Sequence, residues 1–425
     1  MKRWIFAVSL AGFLILTGCS RSANEGTLSV SETPGTEPAQ GGTSGIKVIE
    51  GAGANRDRTV SIRIVDEDNP ALPGRVPTKV RGIYISGMMA GSTDALMRIL
   101  DSATGTQINT VVIDLKDDEG RITCQLDTPV AAEIGASRPY IKDMEGLISS
   151  LKERGLYVIA RVVAFRDPYL AEKKPEWSLH LADGSLYRDR LGLAWVDPYQ
   201  REVWDYLIEV GTAAKELGFD EVQFDYIRFC TEGSVQEVVF DKDVTKGRSK
   251  TDAITEFVKY AYENLASLGL YVSADVFGTI IGSDIDAKAV GQIYTDMAKH
   301  LDYICPMIYP SHYNDGNFGI EHPDLKPYET VYAALLQSRQ ELLKASGDGK
   351  EESVRAIVRP WLQDFTASYL DEGSYMPYGA KEVAEQIRAV TDAGYDEWML
   401  WSAANRYHFD GVPKLETEDE GQEHE

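Results

Sequence analysis

The 425-residue chain is expected to fold as a (β/α)8 TIM barrel, class α/β, on three observations. Eight short runs rich in β-branched and aromatic residues recur between Val80 and Ala403. Longer amphipathic stretches fill the gaps between them, which implies a parallel sheet with helices outside it. The links also differ by direction, short where a helix feeds a strand and often long where a strand feeds a helix, as in barrels that keep their sites on one face.

The eight runs are Val80 to Ser86, Thr110 to Lys116, Tyr157 to Ala164, Glu221 to Ile227, Tyr271 to Phe277, Tyr303 to Tyr309, Ala356 to Gln363 and Trp398 to Ala403. Helices are predicted over Tyr199 to Leu217, Ala253 to Leu268, Ala287 to His300, Val331 to Lys344 and Lys381 to Ala393. Gly155, Gly218, Gly269 and Gly394 stand at the helix-to-strand joints, where a residue without Cβ accepts the left-handed conformation that ends a helix. The long links are Arg166 to Pro198, Cys230 to Lys250 and Pro310 to Lys326. A doubly wound open sheet would need a phosphate-binding glycine loop after its first strand, and Arg81 to Ser92 contains none.

The ends of the chain read differently. Lys2 and Arg3, an apolar run from Trp4 to Leu16 and the small residues before Cys19 form a secretory signal over 1–18. The run is shorter than the roughly 18 to 20 residues that span a bilayer. Leu16-Thr17-Gly18-Cys19 resembles the lipobox of bacterial lipoproteins, which implies lipidation at Cys19 and an extracytoplasmic, membrane-anchored location. Residues 19–45 have the Ser/Gly/Thr/Pro composition of a flexible linker, 46–78 form an N-terminal extension, 79–410 the barrel, and 411–425 an acidic disordered tail.

The net charge of −24 repels nucleic acid and anionic lipid, so polyanion binding is not expected as a main role, with a local basic cleft as the alternative left open. Cys124, Cys230 and Cys305 are widely spaced and odd in number, so buried free thiols are the expectation, with one disulfide as the alternative. The six histidines form neither HxH nor HExxH, and no nucleophile elbow is present, so neither a metal, a cofactor nor a serine nucleophile is expected.

Alternation along the strands singles out two carboxylates. In Phe224-Asp225-Tyr226 the rings suit the helix layer and Asp225 points inward; in Ala274-Asp275-Val276 the same logic turns Asp275 inward. They fall at matching heights on neighbouring strands about 4.8 Å apart, which allows carboxyl separations of about 5 to 9 Å. Cleavage of a glycosidic bond needs two such groups, one to protonate the leaving oxygen and one to attack or activate water. A structural role is the competing reading, with Asp225 paired to Arg161 or Arg228 and Asp275 bonding a helix end or loop amide. Asp114, Lys116, Arg161, Arg228, Tyr309, Gln363 and Trp401 are candidate substrate-binding residues, since donors, acceptors and flat rings suit a sugar. Trp177, Trp195, Tyr199, Tyr313 and Tyr407 are candidate stacking rings in the loops, and Asp197-Pro198 is expected to begin a helix.

Four segments together, Val112 to Gly120, Phe224 to Phe229, Ser273 to Gly278 and Ile304 to Pro310, resemble the signatures of a glycoside hydrolase family of bacterial extracytoplasmic TIM-barrel proteins. The likeness spans about Lys79 to Asp410. It implies a barrel glycosidase in which Asp225 is nucleophile or stabiliser and Asp275 the acid/base, acting on an extracellular or cell-envelope polysaccharide. A carbohydrate-binding surface lipoprotein without turnover is the alternative.

Overall fold

The structure, a computed structural model, describes residues 78–347, 349–350 and 354–415. The expected signal peptide, Cys19, the linker and nearly all of the N-terminal extension lie outside them.

Eight parallel strands close into a barrel: β1 (Arg81–Ile85), β2 (Thr110–Lys116), β3 (Tyr157–Val163), β4 (Glu221–Asp225), β5 (Tyr271–Phe277), β6 (Tyr303–Met307), β7 (Ile357–Val358 and Trp361–Gln363) and β8 (Trp398–Trp401). Each pairs with its neighbour in sequence, and closure comes from β8 against β1, with Gly82 opposite Met399. Strand β7 is interrupted because Pro360 has no N–H to donate, while its carbonyl still accepts from Met399.

Two apolar layers hold the cylinder. Leu115, Val162, Phe224, Ala274 and Val276 face outward into a core shared with the helices, whereas Val112, Ile159, Tyr303, Cys305 and Met399 fill the interior. Each buried branched or aromatic side chain contributes roughly 1.5–3 kcal/mol relative to exposure. Glycines at the four predicted joints all have positive φ, from 78° to 96°.

The main outer helices are α1 (Thr93–Ser102), α2 (Met144–Glu153), α3 (Arg201–Glu216), α4 (Lys250–Leu265), α5 (Asp284–Val290), α6 (Tyr294–Ala298), α7 (Pro327–Ala345) and α8 (Ala380–Asp392). The single helix expected over 287–300 is broken into α5 and α6 at Gly291 (φ 84°), where a Cβ would lie 2.9 Å from the Lys250 carbonyl oxygen. Helix α3 starts at Arg201, later than the Asp197-Pro198 reading: the Asp197 carboxylate accepts from Tyr199 N, so it closes the preceding turn. After β8 the described chain runs back along the barrel, with Gln107 N donating to Pro413 O and Leu415 N to Gly105 O. Residues 411–415, assigned to the tail by composition, are therefore bonded to the domain.

The strand-to-helix links collect over one rim, as the link lengths predict. Two of them, after β3 and β4, join in a short antiparallel pairing of His180–Leu181 with Val238–Val239. A separate cluster of Leu179, Tyr187, Trp195 and Cys230 packs beneath that pairing.

Candidate active site

Asp225 ends β4 and Asp275 lies on β5. Phe224 is the register partner of Ala274, so the two aspartates stand one residue beyond a matched pair, at the same height on adjacent strands. Both project inward. Asp275 Oδ1 accepts the indole N–H of Trp361 from β7 at 2.7 Å. Asp225 Oδ2 accepts from Arg161 Nε (3.0 Å) and Nη2 (2.6 Å), and its Oδ1 accepts from Tyr226 N (2.6 Å).

Arg161, from β3, organises the floor. Its Nη1 also donates to Asp114 Oδ1 of β2 at 2.7 Å, and Tyr84 Oη of β1 donates to Asp114 Oδ2 at 2.6 Å. Asp118, from the loop after β2, lies 3.3 Å from the same guanidinium. The Trp401 ring of β8 is 5.3 Å from Arg161 Cζ and stacks on Tyr84 with centroids 4.1 Å apart. Hence five strands meet at one buried guanidinium, whose desolvation is offset only because several carboxylates surround it.

The electrostatics separate the two aspartates. Asp275 is 2% exposed; burial pushes its carboxyl well above the usual carboxylate range, and the negative charge of Asp225 adds to this. The Trp361 hydrogen bond and Arg161 pull in the opposite direction without reversing it. Asp225 is 6% exposed and is ion-paired. The environment of Asp275 thus favours its neutral form, whereas Asp225 on the next strand is held against Arg161, the kind of contrast by which surroundings assign acid and base roles to chemically identical groups.

Tyr309, following β6, is buried next to this pair; burial raises its hydroxyl well above the ordinary range, and the charges of Asp275 and Asp225 raise it further. Below the aspartates Glu221, Arg359 and Glu397 form a second buried network, Arg359 Nη1 reaching Glu221 Oε1 at 2.8 Å and its Nε reaching Glu397 Oε2 at 2.9 Å.

Two candidates are placed elsewhere. The register slips between Asp114 and Lys116, where Asp114 pairs with Arg161 but Lys116 with Val162. This bulge turns Lys116 out of the barrel, contrary to simple alternation. Its ammonium lies 2.8 Å from Asp167 and donates to Val163 O, with the Tyr206 ring of α3 5.9 Å away. Gln363 is fully buried and its amide is committed: Oε1 accepts from Ser311 N and Oγ, and Nε2 donates to Asp324 and to Phe365 O. It ties loops together rather than facing the cleft. Arg228 is held beside Trp195, Tyr226 and Phe277 at the rim between β4 and β5.

The loop aromatics mostly anchor their own loops. Trp195 Nε1 bonds Asp189, Tyr199 packs on Phe229 and Phe240, Tyr313 packs on Phe318, and Tyr407 Oη bonds the Tyr84 carbonyl. Trp177 is half-buried beside Lys174. Sequence reasoning missed Tyr84, Trp361 and Asp118 as site residues. Alternation within β1 and β7 would have turned both rings inward; the contact of Asp118, in the loop after β2, with Arg161 of β3 has no local signal. Cys124, Cys230 and Cys305 are buried free thiols, as expected.

Comparison with known proteins bears on this geometry. Residues 82–407 match the model of a family described as "Putative glycosyl hydrolase domain". No curated protein matches the sequence. Among solved structures, a hypothetical protein from Ruminiclostridium thermocellum ATCC 27405 is 39% identical, covering 46% of this chain and 97% of that one, with a TM-score of 0.42. The PgaB (BpsB) glycoside hydrolase domain from Bordetella bronchiseptica is 14% identical over 77% of this chain and 94% of its own, TM-score 0.50, a likeness of fold. The α-L-fucosidase isoenzyme 2 from Paenibacillus thiaminolyticus is 14% identical over 79% and 48% of the respective chains, TM-score 0.49.

Proposed function

Because the chain belongs to this family of glycosyl hydrolase domains, we propose that it hydrolyses a glycosidic bond of an extracellular or cell-envelope polysaccharide, with Asp275 as acid/base and Asp225 as nucleophile. The supporting observation is the electrostatic contrast between the two: a carboxyl driven toward its neutral form by burial, one strand away from a carboxylate paired with Arg161. The neutral acid protonates the departing glycosidic oxygen while the carboxylate attacks the anomeric carbon. Asp275, now ionised, then draws a proton from water as that water releases the sugar. With Asp225 attacking the anomeric carbon and water later displacing it, this assignment entails retention of the anomeric configuration. Trp401, stacked on Tyr84 and half-buried, supplies an apolar ring face, and Tyr309 a hydroxyl, for a sugar bound above the pair.

Asp225→Asn tests the assignment. Turnover is expected to fall by about 10³-fold or more while glycan affinity survives. Unchanged turnover would remove Asp225 from the chemistry. The enclosure of Asp275 favours one other reading, a carbohydrate-binding protein without turnover, for which no glycan would be cleaved by the unmodified protein either. We further propose that Cys19 carries a lipid and that the barrel works at the outer face of a membrane, supported by the charged, apolar and small-residue order of 1–19.

A further inference from the structure

Three arginines of the domain are buried, Arg161, Arg228 and Arg359. Two of them are matched by acids: Arg161 contacts Asp114, Asp118 and Asp225, and Arg359 contacts Glu221 and Glu397. Arg228 differs. At 7% exposure it has no carboxylate within ion-pair distance among the described residues. Its guanidinium lies 4.9 Å from the Trp195 ring, 5.4 Å from Tyr226 and 4.8 Å from Phe277, and its one hydrogen bond among the described residues is from Nη1 to Phe229 O at 3.2 Å.

A guanidinium has five N–H donors and stays charged at any physiological pH. Ring faces attract the cation but accept none of those donors in the plane where a carboxylate would. The unused donors are not sealed in: the buried nitrogen atoms left without a partner include Arg359 Nη2 and Arg121 Nε, but none of Arg228. Its flanks are thus covered by rings, while its unused donors keep some contact with solvent.

Two of the rings that flank Arg228 come from the ends of the two aspartate strands. Tyr226 directly follows Asp225, and Phe277 stands two residues beyond Asp275 on β5. Tyr226 is also held at φ 52°, a left-handed conformation that is costly for a residue with a bulky side chain. Its hydroxyl accepts from Arg166 Nη1 at 2.8 Å, which fixes the ring that flanks Arg228. A buried cation without a carboxylate partner is therefore held among rings at the ends of the two aspartate strands.

We propose that Arg228 receives an anionic substituent, a carboxylate or a phosphate ester, on the sugar positioned over Asp225 and Asp275, so that the substrate is an acidic glycan. The inference rests on the hydrolase reading above for the identity of the site. The chain's overall charge of −24 does not oppose it at contact range, because mobile ions screen exposed charges beyond about 8 Å at physiological salt.

The test compares a uronate-containing glycan with its carboxyl-reduced form, and a phosphate-substituted glycan with its dephosphorylated form, for binding and for turnover. The unmodified full chain is expected to favour the anionic member of one pair at least tenfold, and the pair that shows the preference identifies the anion. Arg228→Gln should collapse that preference toward unity, and Arg228→Lys should restore part of it through charge without the fork. Melting temperature separates this from loss of fold. Arg228-dependent binding of an anionic glycan without any cleavage would uphold the anion site and remove the hydrolase reading. Cleavage with no preference for either anionic member, or a preference untouched in Arg228→Gln, would overturn the anion site and leave the hydrolase reading standing. Neither binding nor cleavage of any of the four glycans would overturn both.

Discussion

Trp361 of β7 donates its indole N–H to Asp275 of β5 at 2.7 Å, reaching past β6 through the barrel interior. The bond favours the ionised carboxyl and partly counters the upward push of burial. In Trp361→Phe that restraint is lost and the Asp275 carboxyl moves further up. A general acid must be protonated, so the alkaline limb of the kcat/KM profile should shift to higher pH in Trp361→Phe. An unmoved limb, measured on the substrate that Asp225→Asn fails to turn over, would show that Asp275 is not the group titrating there.

The Lys116–Asp167 ion pair lies behind the site with both side chains fully buried. Lys116→Met would leave the Asp167 carboxylate unpaired in the interior, which costs about 3–5 kcal/mol. Replacing both, Lys116→Met with Asp167→Leu, removes that unpaired charge, although Asp167 Oδ1 also accepts from Leu170 N at the start of a short helix and that cap is worth about 1 kcal/mol. Urea unfolding should therefore rank the double variant above Lys116→Met alone. The reverse order would mean that the pair is not what stabilises this corner.

Burial pushes Asp117 up to about 7 and Asp197 up to about 6. For an acid raised on folding, the folded chain holds protons that the unfolded chain has released. Its contribution to stability is full below the unfolded value near 4 and is lost as pH rises toward 6 for Asp197 and 7 for Asp117. The melting temperature should accordingly be higher at pH 5 than at pH 8. Asp117→Asn keeps an oxygen that can accept from Glu119 N and Arg121 N while removing the charge, so it should narrow that difference. A melting temperature that rises steadily from pH 5 to 8 in the unmodified protein would contradict the sign.

Lipid attachment at Cys19 predicts that the full chain expressed in a bacterial host sediments with membranes and incorporates labelled fatty acid. Cys19→Ala should do neither. Soluble, unlabelled protein in both cases would end the anchor proposal.

The strand order, the helix layer and the inward direction of Asp225 and Asp275 were legible in the sequence because each depends on a local period: two residues along a strand, 3.6 along a helix, a glycine at the joint. Tyr84 and Trp361 carried the same signal, unread. Other features had no local trace. Lys116 follows Asp114 by two residues, yet a bulge at Leu115 sends the two side chains to opposite sides of the wall. Gln363 lies at the strand end where a ligand-binding residue belongs, but Ser311 and Asp324, 52 and 39 residues away in sequence, occupy its amide.

The sequence by itself determined that eight strands would close a barrel and that two acids would end on adjacent staves, because hydrophobic periodicity sets which face of every element leaves water. Only the tertiary structure decided which acid is pushed toward its neutral form, which arginines meet carboxylates and which one does not. Those properties depend on charges and rings brought together from strands far apart in the chain, and on how completely water is excluded among them.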